Sequence, residues 1–220
     1  MIRNLKALLL AAVAVMAVSA VGASAGQAAE FHSSVAETKL TLTTDGTGKT
    51  AHQVFDAAGA SITCAGIKGE GNLAVSTATS VTIDVTYEGP CTFVGQEATV
   101  DMKGCDYTFT SHGTVSLSSR TGKNCATEPI TFSVPSPPCT VTVGSAGGAN
   151  QNLESVTYHN ITTSGVSEIT VEPHVTGITY TATGSGCPET GTKTNGNYTT
   201  GNTIVTGSSA ASSMVNIFWE

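Results

Sequence analysis

The stretch CTFVGQEATVDMKGC (residues 91–105) sets the pattern on which the rest of the chain is built. Ala98, Val100 and Met102 alternate with polar residues, which is typical of a strand with one buried and one solvated face. Gly104 then turns the chain into a second run of the same kind. We predict a hairpin here, closed by a disulfide between Cys91 and Cys105.

The same alternation recurs along most of the chain and is clearest in residues 81–87, VTIDVTY. Glycine, proline or asparagine bounds most of these short runs, and no helical period appears beyond the first 25 residues. Tyr87, Tyr107 and Tyr180 share faces with apolar residues, so we expect them in the core. The sequence therefore predicts an all-β protein with an antiparallel, sandwich or jelly-roll-like fold.

A glycine-rich segment, GSAGGAN at residues 144–150, marks the best place for a boundary. It separates a β-sandwich unit at residues 38–143 from a second β unit at 151–220, with one continuous domain as the alternative. The string TVDMKGCDYTFT (residues 99–110) has a counterpart in TVEPHVTGITYTAT (residues 170–183). This echo favours two similar units, each with its own hairpin.

The N-terminus has the three-part layout of a secretory signal peptide. Arg3 and Lys6 precede an Ala/Leu/Val run, which ends at the small residues 23–25, ASA. The run is shorter than the roughly 20 residues of a spanning helix. We expect cleavage after Ala25 or Ala29, a flexible leader over residues 26–37, no membrane span in the mature chain and a secreted protein.

Six cysteines in an exported chain, without a CxxC pair, are typical of a disulfide framework. They are Cys64, Cys91, Cys105, Cys125, Cys139 and Cys187. Six cysteines allow 15 pairings, among which sequence alone does not choose. Equal spacings of 14 positions suggest Cys91 with Cys105 and Cys125 with Cys139, which leaves Cys64 for Cys187.

Charge excludes one class of partner. Cleavage after Ala25 removes two basic residues and no acidic one, leaving seven against 16, a net charge of −9. The seven basic residues are scattered, whereas nucleic-acid binding needs clustered lysine and arginine. We expect no nucleic-acid partner; a cell-surface polymer or another extracellular protein fits better.

Five strings together resemble a recurrent type of exported, cysteine-containing β protein of actinobacteria. They are CTFVGQEATVDMKGCDYTF, CTVTV, SVTYHNITTSG, ITVEPHVTGITYTATGSGCP and TNGNYTTG, which fall within residues 40–219. The resemblance implies an exported all-β protein. That type of protein has no assigned activity, so the resemblance implies no catalytic residues, cofactor or metal.

No motif in the chain identifies a reaction. HExxH is absent, the GxSxG string at residues 22–26 spans the predicted signal-peptide cleavage site, and no loop clusters acids as a calcium site would. We therefore predict no catalytic, cofactor-binding or metal-binding residues. Two glycosylation acceptor patterns occur, at Asn160 and Asn197.

The leading hypothesis is a secreted structural or surface-interaction protein without enzymatic activity. The alternative is a secreted β-sandwich hydrolase that acts on polysaccharide, with two carboxyl groups about 5–10 Å apart in an open cleft. Its acids would come from Asp84, Asp101, Asp106, Glu168 and Glu172. A third hypothesis is a carrier of a small ligand, which a large apolar cavity between the sheets would support.

Overall fold

The computed structural model describes residues 29–44, 53–144, 151, 153–201 and 203–220. The signal peptide predicted for residues 1–25 lies outside the described residues, as do residues 26–28 of the predicted leader and residues 145–150 of the predicted boundary.

The described chain is built from strands, and every pairing between them is antiparallel, which confirms the predicted all-β class. The strands are β1 (Phe31–Ser33), β2 (Thr38–Thr44), β3 (Gln53–Ala57), β4 (Ala60–Leu73), β5 (Thr77–Ala78), β6 (Ser80–Phe93), β7 (Gln96–Asp101), β8 (Cys105–Thr110), β9 (Thr114–Ser119), β10 (Ile130–Pro135), β11 (Pro138–Val143), β12 (Leu153–Glu154), β13 (Val156–Thr163), β14 (Val166–Thr183), β15 (Gly191–Thr200), β16 (Thr203–Ser208) and β17 (Ile217–Trp219).

Eight strands close into a hydrogen-bonded ring. Their order is β3, β4, β6, β7, β10, β11, β14, β15 and back to β3. Within the ring, each strand has a hydrogen-bonded neighbour on both edges. The ring therefore has no free strand edge at which another chain could pair. An eight-stranded closed sheet has an interior just wide enough for side chains or one small ligand. Its facing walls give the sandwich-like arrangement.

Three long strands extend past the ring and pair with further strands there. β4 and β6 have 14 residues each and β14 has 18. Their far ends pair with β2, β8 and β16, and β9, β12 and β13 extend the sheet from there. Gly177, at φ +76°, lies at a register shift between β14 and β15, where its conformational freedom lets the long strand bend.

The predicted hairpin at residues 91–105 is wrong. β7 pairs with residues 91–93 of β6, across a two-residue turn at Val94 and Gly95. Both turn residues have positive φ, 53° and 76°, which matches the twist of the flanking strands. β8 pairs instead with residues 80–83 at the other end of β6. β7 and β8 thus lie along the same edge of β6, because β4 occupies the opposite edge.

The two predicted units share one sheet and one core. Strands from both stretches alternate: β11 lies beside β14, β15 beside β3, and β16 beside β2. The buried apolar residues form a single cluster. The expectation of a hairpin in each unit is also wrong, because residues 170–183 belong to the single strand β14. Similar strings of threonine and apolar residues therefore adopt different local structures.

The flexible leader predicted for residues 26–37 is wrong over residues 31–33, which form β1 between β17 and β5. Phe31 is buried and meets Tyr158 edge-to-face, with ring centroids 5.1 Å apart. A strand of three residues is too short to show an alternation, so the sequence pattern does not indicate β1.

All six cysteines form disulfides, as expected, but every predicted pair is wrong. The bonds join Cys64 to Cys91, Cys105 to Cys125 and Cys139 to Cys187. Cys64 and Cys91 are direct partners in the β4–β6 ladder. Strand pairing brings these two sulfurs together, whereas each of the other bonds joins a strand cysteine to one in a loop, Cys125 or Cys187. The equal spacings of 14 positions carry no structural meaning.

Candidate functional site

An apolar cavity of about 80 Å³ lies inside the closed sheet and reaches along the long strands. Phe55 and Phe132 form part of its wall, and β9 and β12 supply Val115 and Leu153 at its far end. Among the described residues that line it, none is charged. Ser116, Gln151 and Leu153 are partly exposed, so the cavity approaches the surface near β9 and β12.

The cavity is small and is lined from many strands. An engineered apolar cavity of about 150 Å³ binds benzene, so about 80 Å³ accommodates roughly half as many carbon atoms before the walls adjust. Twelve strands contribute to the lining.

A second hollow of about 40 Å³ lies beyond the first. Leu42, Phe109 and Val171 line both hollows and therefore separate them. Phe31 and Ile217, from β1 and β17, contribute to the wall of the second hollow. The interior is thus divided in two by one layer of apolar side chains.

Aromatic side chains pack against one another inside the eight-stranded ring, next to the cavity. Phe55 on β3 stacks on Phe132 on β10, the strand directly opposite in the ring, with centroids 5.1 Å apart. Tyr180 meets Phe55 edge-on, and its hydroxyl accepts a hydrogen bond of 2.8 Å from the Ala58 N–H. These contacts pack the interior there and leave the cavity as the unfilled part.

A small polar group interrupts the apolar wall. The hydroxyl of Tyr198 donates to Oε1 of Gln53 at 2.6 Å, and the hydroxyls of Tyr87 and Tyr107 share a hydrogen bond of 3.1 Å. Gln53 is 1% exposed, and its Nε2 has no hydrogen-bond partner in the part of the chain that the structure describes. An unpaired buried amide costs about 1–3 kcal/mol, so this donor is a marked exception in an otherwise satisfied interior.

The three phenols at the cavity stay neutral at physiological pH. Burial of the hydroxyls raises the pKa of Tyr87 and Tyr107 well above its ordinary value and also raises the pKa of Tyr198. Since no described lining residue is charged either, the cavity offers hydrogen bonds without offering a counterion.

Arg120 holds two of the acids proposed for a hydrolase. Its Nε donates to Oδ1 of Asp106 at 2.9 Å, and another guanidinium nitrogen contacts Oδ1 of Asp84. Asp106 is buried, whereas half of the Asp84 side chain is exposed. The arrangement joins β6, β8 and the loop after β9 by an ion-pair network in which both carboxylates share one cation.

The other three candidate acids lie apart from the cavity. Asp101 accepts a hydrogen bond from the Lys103 N–H in the turn after β7. Glu168 is buried on β14, and Glu172 on the same strand lies 3.9 Å from His159. None of the five acids is among the described residues that line either hollow.

One predicted glycosylation site is engaged in the fold. The Asn160 side chain donates to the Trp219 carbonyl at 2.7 Å and accepts from the Trp219 N–H at 2.8 Å, so its amide ties β13 to β17. Asn197 lies in β15, opposite Asp56 and Thr176.

Sequence reasoning missed Gln53 and Tyr198 as site residues, although a signal for the first was present. Gln53 is in phase with Phe55 and Ala57, so the alternation places a polar side chain on a buried face. Such a residue is worth noting because buried polar groups need a partner.

Comparisons with protein-family models, with curated proteins and with solved structures find no match to this chain.

Proposed function

We propose that the protein is a secreted, non-enzymatic binding protein that takes a small apolar molecule into the cavity of its closed sheet. The observation that carries the proposal is the cavity itself, uncharged among the described residues and lined by apolar side chains from both walls. Apolar cavities with a few placed polar groups are the usual form of small-molecule sites. The N-terminal pattern and three disulfides support an extracellular setting.

The proposal keeps the expected absence of enzymatic chemistry but moves the binding from the outer surface to the interior. The hydrolase alternative loses support, because its acids lie outside both hollows and two of them are paired with Arg120. The described part of the chain also contains no helix long and apolar enough to cross a membrane.

The test is to purify the protein from the medium of its own cells and extract it with organic solvent. We expect a small neutral molecule at about one per protein. Val115→Phe places a larger side chain in the cavity and should lower the extracted amount at least tenfold. Val75→Phe is the matched control, because Val75 is 57% exposed and lies outside the cavity.

Thermal unfolding of each variant checks that it folds, and Val85→Leu serves as a milder filling variant if Val115→Phe does not. Equal amounts of extracted molecule from the filling variants and the control would place it on the surface. Failure to extract any molecule, with no shift of the lining valine methyl resonances under xenon pressure, would also overturn the proposal.

A further inference from the structure

We infer that the ligand ends in a neutral carbonyl oxygen, as in a ketone, ester or amide, and that this oxygen accepts a hydrogen bond from Nε2 of Gln53. The inference rests on the proposed function, since it names the class of molecule that the cavity takes. It is carried by a donor that the fold buries, orients and leaves unpaired.

Gln53 is held in a fixed place. Its backbone lies in β3 between two strands, opposite Cys64 of β4 and Thr200 of β15. Its Oε1 accepts the 2.6 Å hydrogen bond from Tyr198, which fixes the plane of the carboxamide. Its Nε2 makes no hydrogen bond in the part of the chain that the structure describes, and Gln53 lines the cavity, so a shift of this side chain on ligand binding would present an N–H donor to an acceptor there.

The wall chemistry restricts the acceptor to a neutral one. An ionised carboxylate would lose its hydration without meeting a cation, because lysine, arginine and histidine are absent from the described lining. A ligand that offers only donors would leave Gln53 unpaired. A hydrocarbon would fill the space but would leave the amide without a partner, so it should bind more weakly than the matching carbonyl compound.

The probes isolate the carbonyl oxygen and are somewhat larger than the unadjusted cavity, so the walls must adjust to admit them. 2-Butanone carries a carbonyl on a four-carbon chain, and 2-methyl-1-butene has the same shape with a CH₂ group in place of the oxygen. Butanoate supplies the ionised comparison. Binding is followed by NMR, through the lining valine methyl groups and through the side-chain amide resonances of Gln53.

We expect 2-butanone to bind about tenfold or more tightly than 2-methyl-1-butene, and to shift the Gln53 amide resonances. Gln53→Met keeps the length of the side chain and should bring the two affinities to within about twofold. Gln96→Met is the matched control, because Gln96 is the first residue of β7 and lies outside the cavity. Butanoate should bind only at pH values low enough to protonate it.

If Gln53→Met does not fold, Tyr198→Phe provides a second route, because it removes the hydrogen bond that fixes the carboxamide and should reduce the preference for the ketone. Equal binding of ketone and alkene in the unaltered protein would overturn the inference and leave the proposed function standing. The inference would also be overturned if the chemical shifts of the Gln53 side-chain amide did not change on addition of the ketone and this amide showed contact only with water. If neither probe shifts the lining valines, the proposed function itself fails.

Discussion

Replacing Phe31 with alanine should destabilise the protein strongly, although this residue lies near the N-terminal end of the described chain. Phe31 is 6% exposed and occupies the middle strand of the sheet β17-β1-β5. Its ring packs edge-to-face on Tyr158 at 5.1 Å and forms part of the wall of the smaller hollow. The residue therefore closes one end of the core.

The magnitude follows from these contacts. Truncating a buried phenylalanine to alanine typically costs about 3–5 kcal/mol, and an edge-to-face pair contributes about 0.5–1.5 kcal/mol of that. The site already borders a hollow of about 40 Å³, so the lost ring enlarges an existing void. We expect the free energy of unfolding to fall by about 4 kcal/mol.

The assay is urea unfolding followed by the fluorescence of Trp219, which lies 5.8 Å from Tyr158, and by circular dichroism. Phe218→Ala is the matched control, because Phe218 is partly exposed and stacks on His32, and it should cost less than about 1 kcal/mol. Equal small losses for Phe31→Ala and Phe218→Ala would refute the reasoning and restore a flexible leader.

Two further predictions concern the disulfides and the phenols. Non-reducing peptide mapping should find Cys139 bonded to Cys187, and a Cys125–Cys139 peptide would contradict the structure. Because the bond closes a loop with a sequence separation of 48, replacing both cysteines with alanine should lower the free energy of unfolding by about 4 kcal/mol. Because burial raises the pKa of Tyr87 in the folded state above about 10, its contribution to stability is complete below pH 10 and is lost as the pH rises further. As the pH rises, phenolate absorbance from Tyr87, Tyr107, Tyr158 and Tyr198 of the folded protein should therefore develop at higher pH than that of free tyrosine. Titration of these four at the ordinary pKa would show that the phenols are not buried.

The strand faces could be predicted because alternation along one strand is a local property. In residues 81–87, Val81, Ile83 and Val85 are buried while the intervening residues are exposed, as the pattern indicates. Alternation says which face is buried, but it does not say which strand lies alongside. The hairpin at residues 91–105 failed for this reason, since β7 and β8 both follow one edge of β6 and do not pair with each other.

The candidate site could be predicted only in part. The in-phase position of Gln53 with Phe55 was visible in the sequence, whereas its partner Tyr198 is 145 positions away. No spacing rule links two such residues, because β15 and β3 become neighbours only when the ring of strands closes.

The sequence by itself determined the all-β class, the buried face of strands such as β6 and the engagement of its six cysteines in disulfides, since these depend on local alternation and on an even number of thiols. Only the tertiary structure decided which cysteines bond, where β1 docks and that Gln53 faces an apolar cavity with its amide unpaired. The physical reason is closure: in a closed antiparallel sheet each strand's neighbours follow from how the whole chain completes the ring, and the cavity is the space that this closure leaves unfilled.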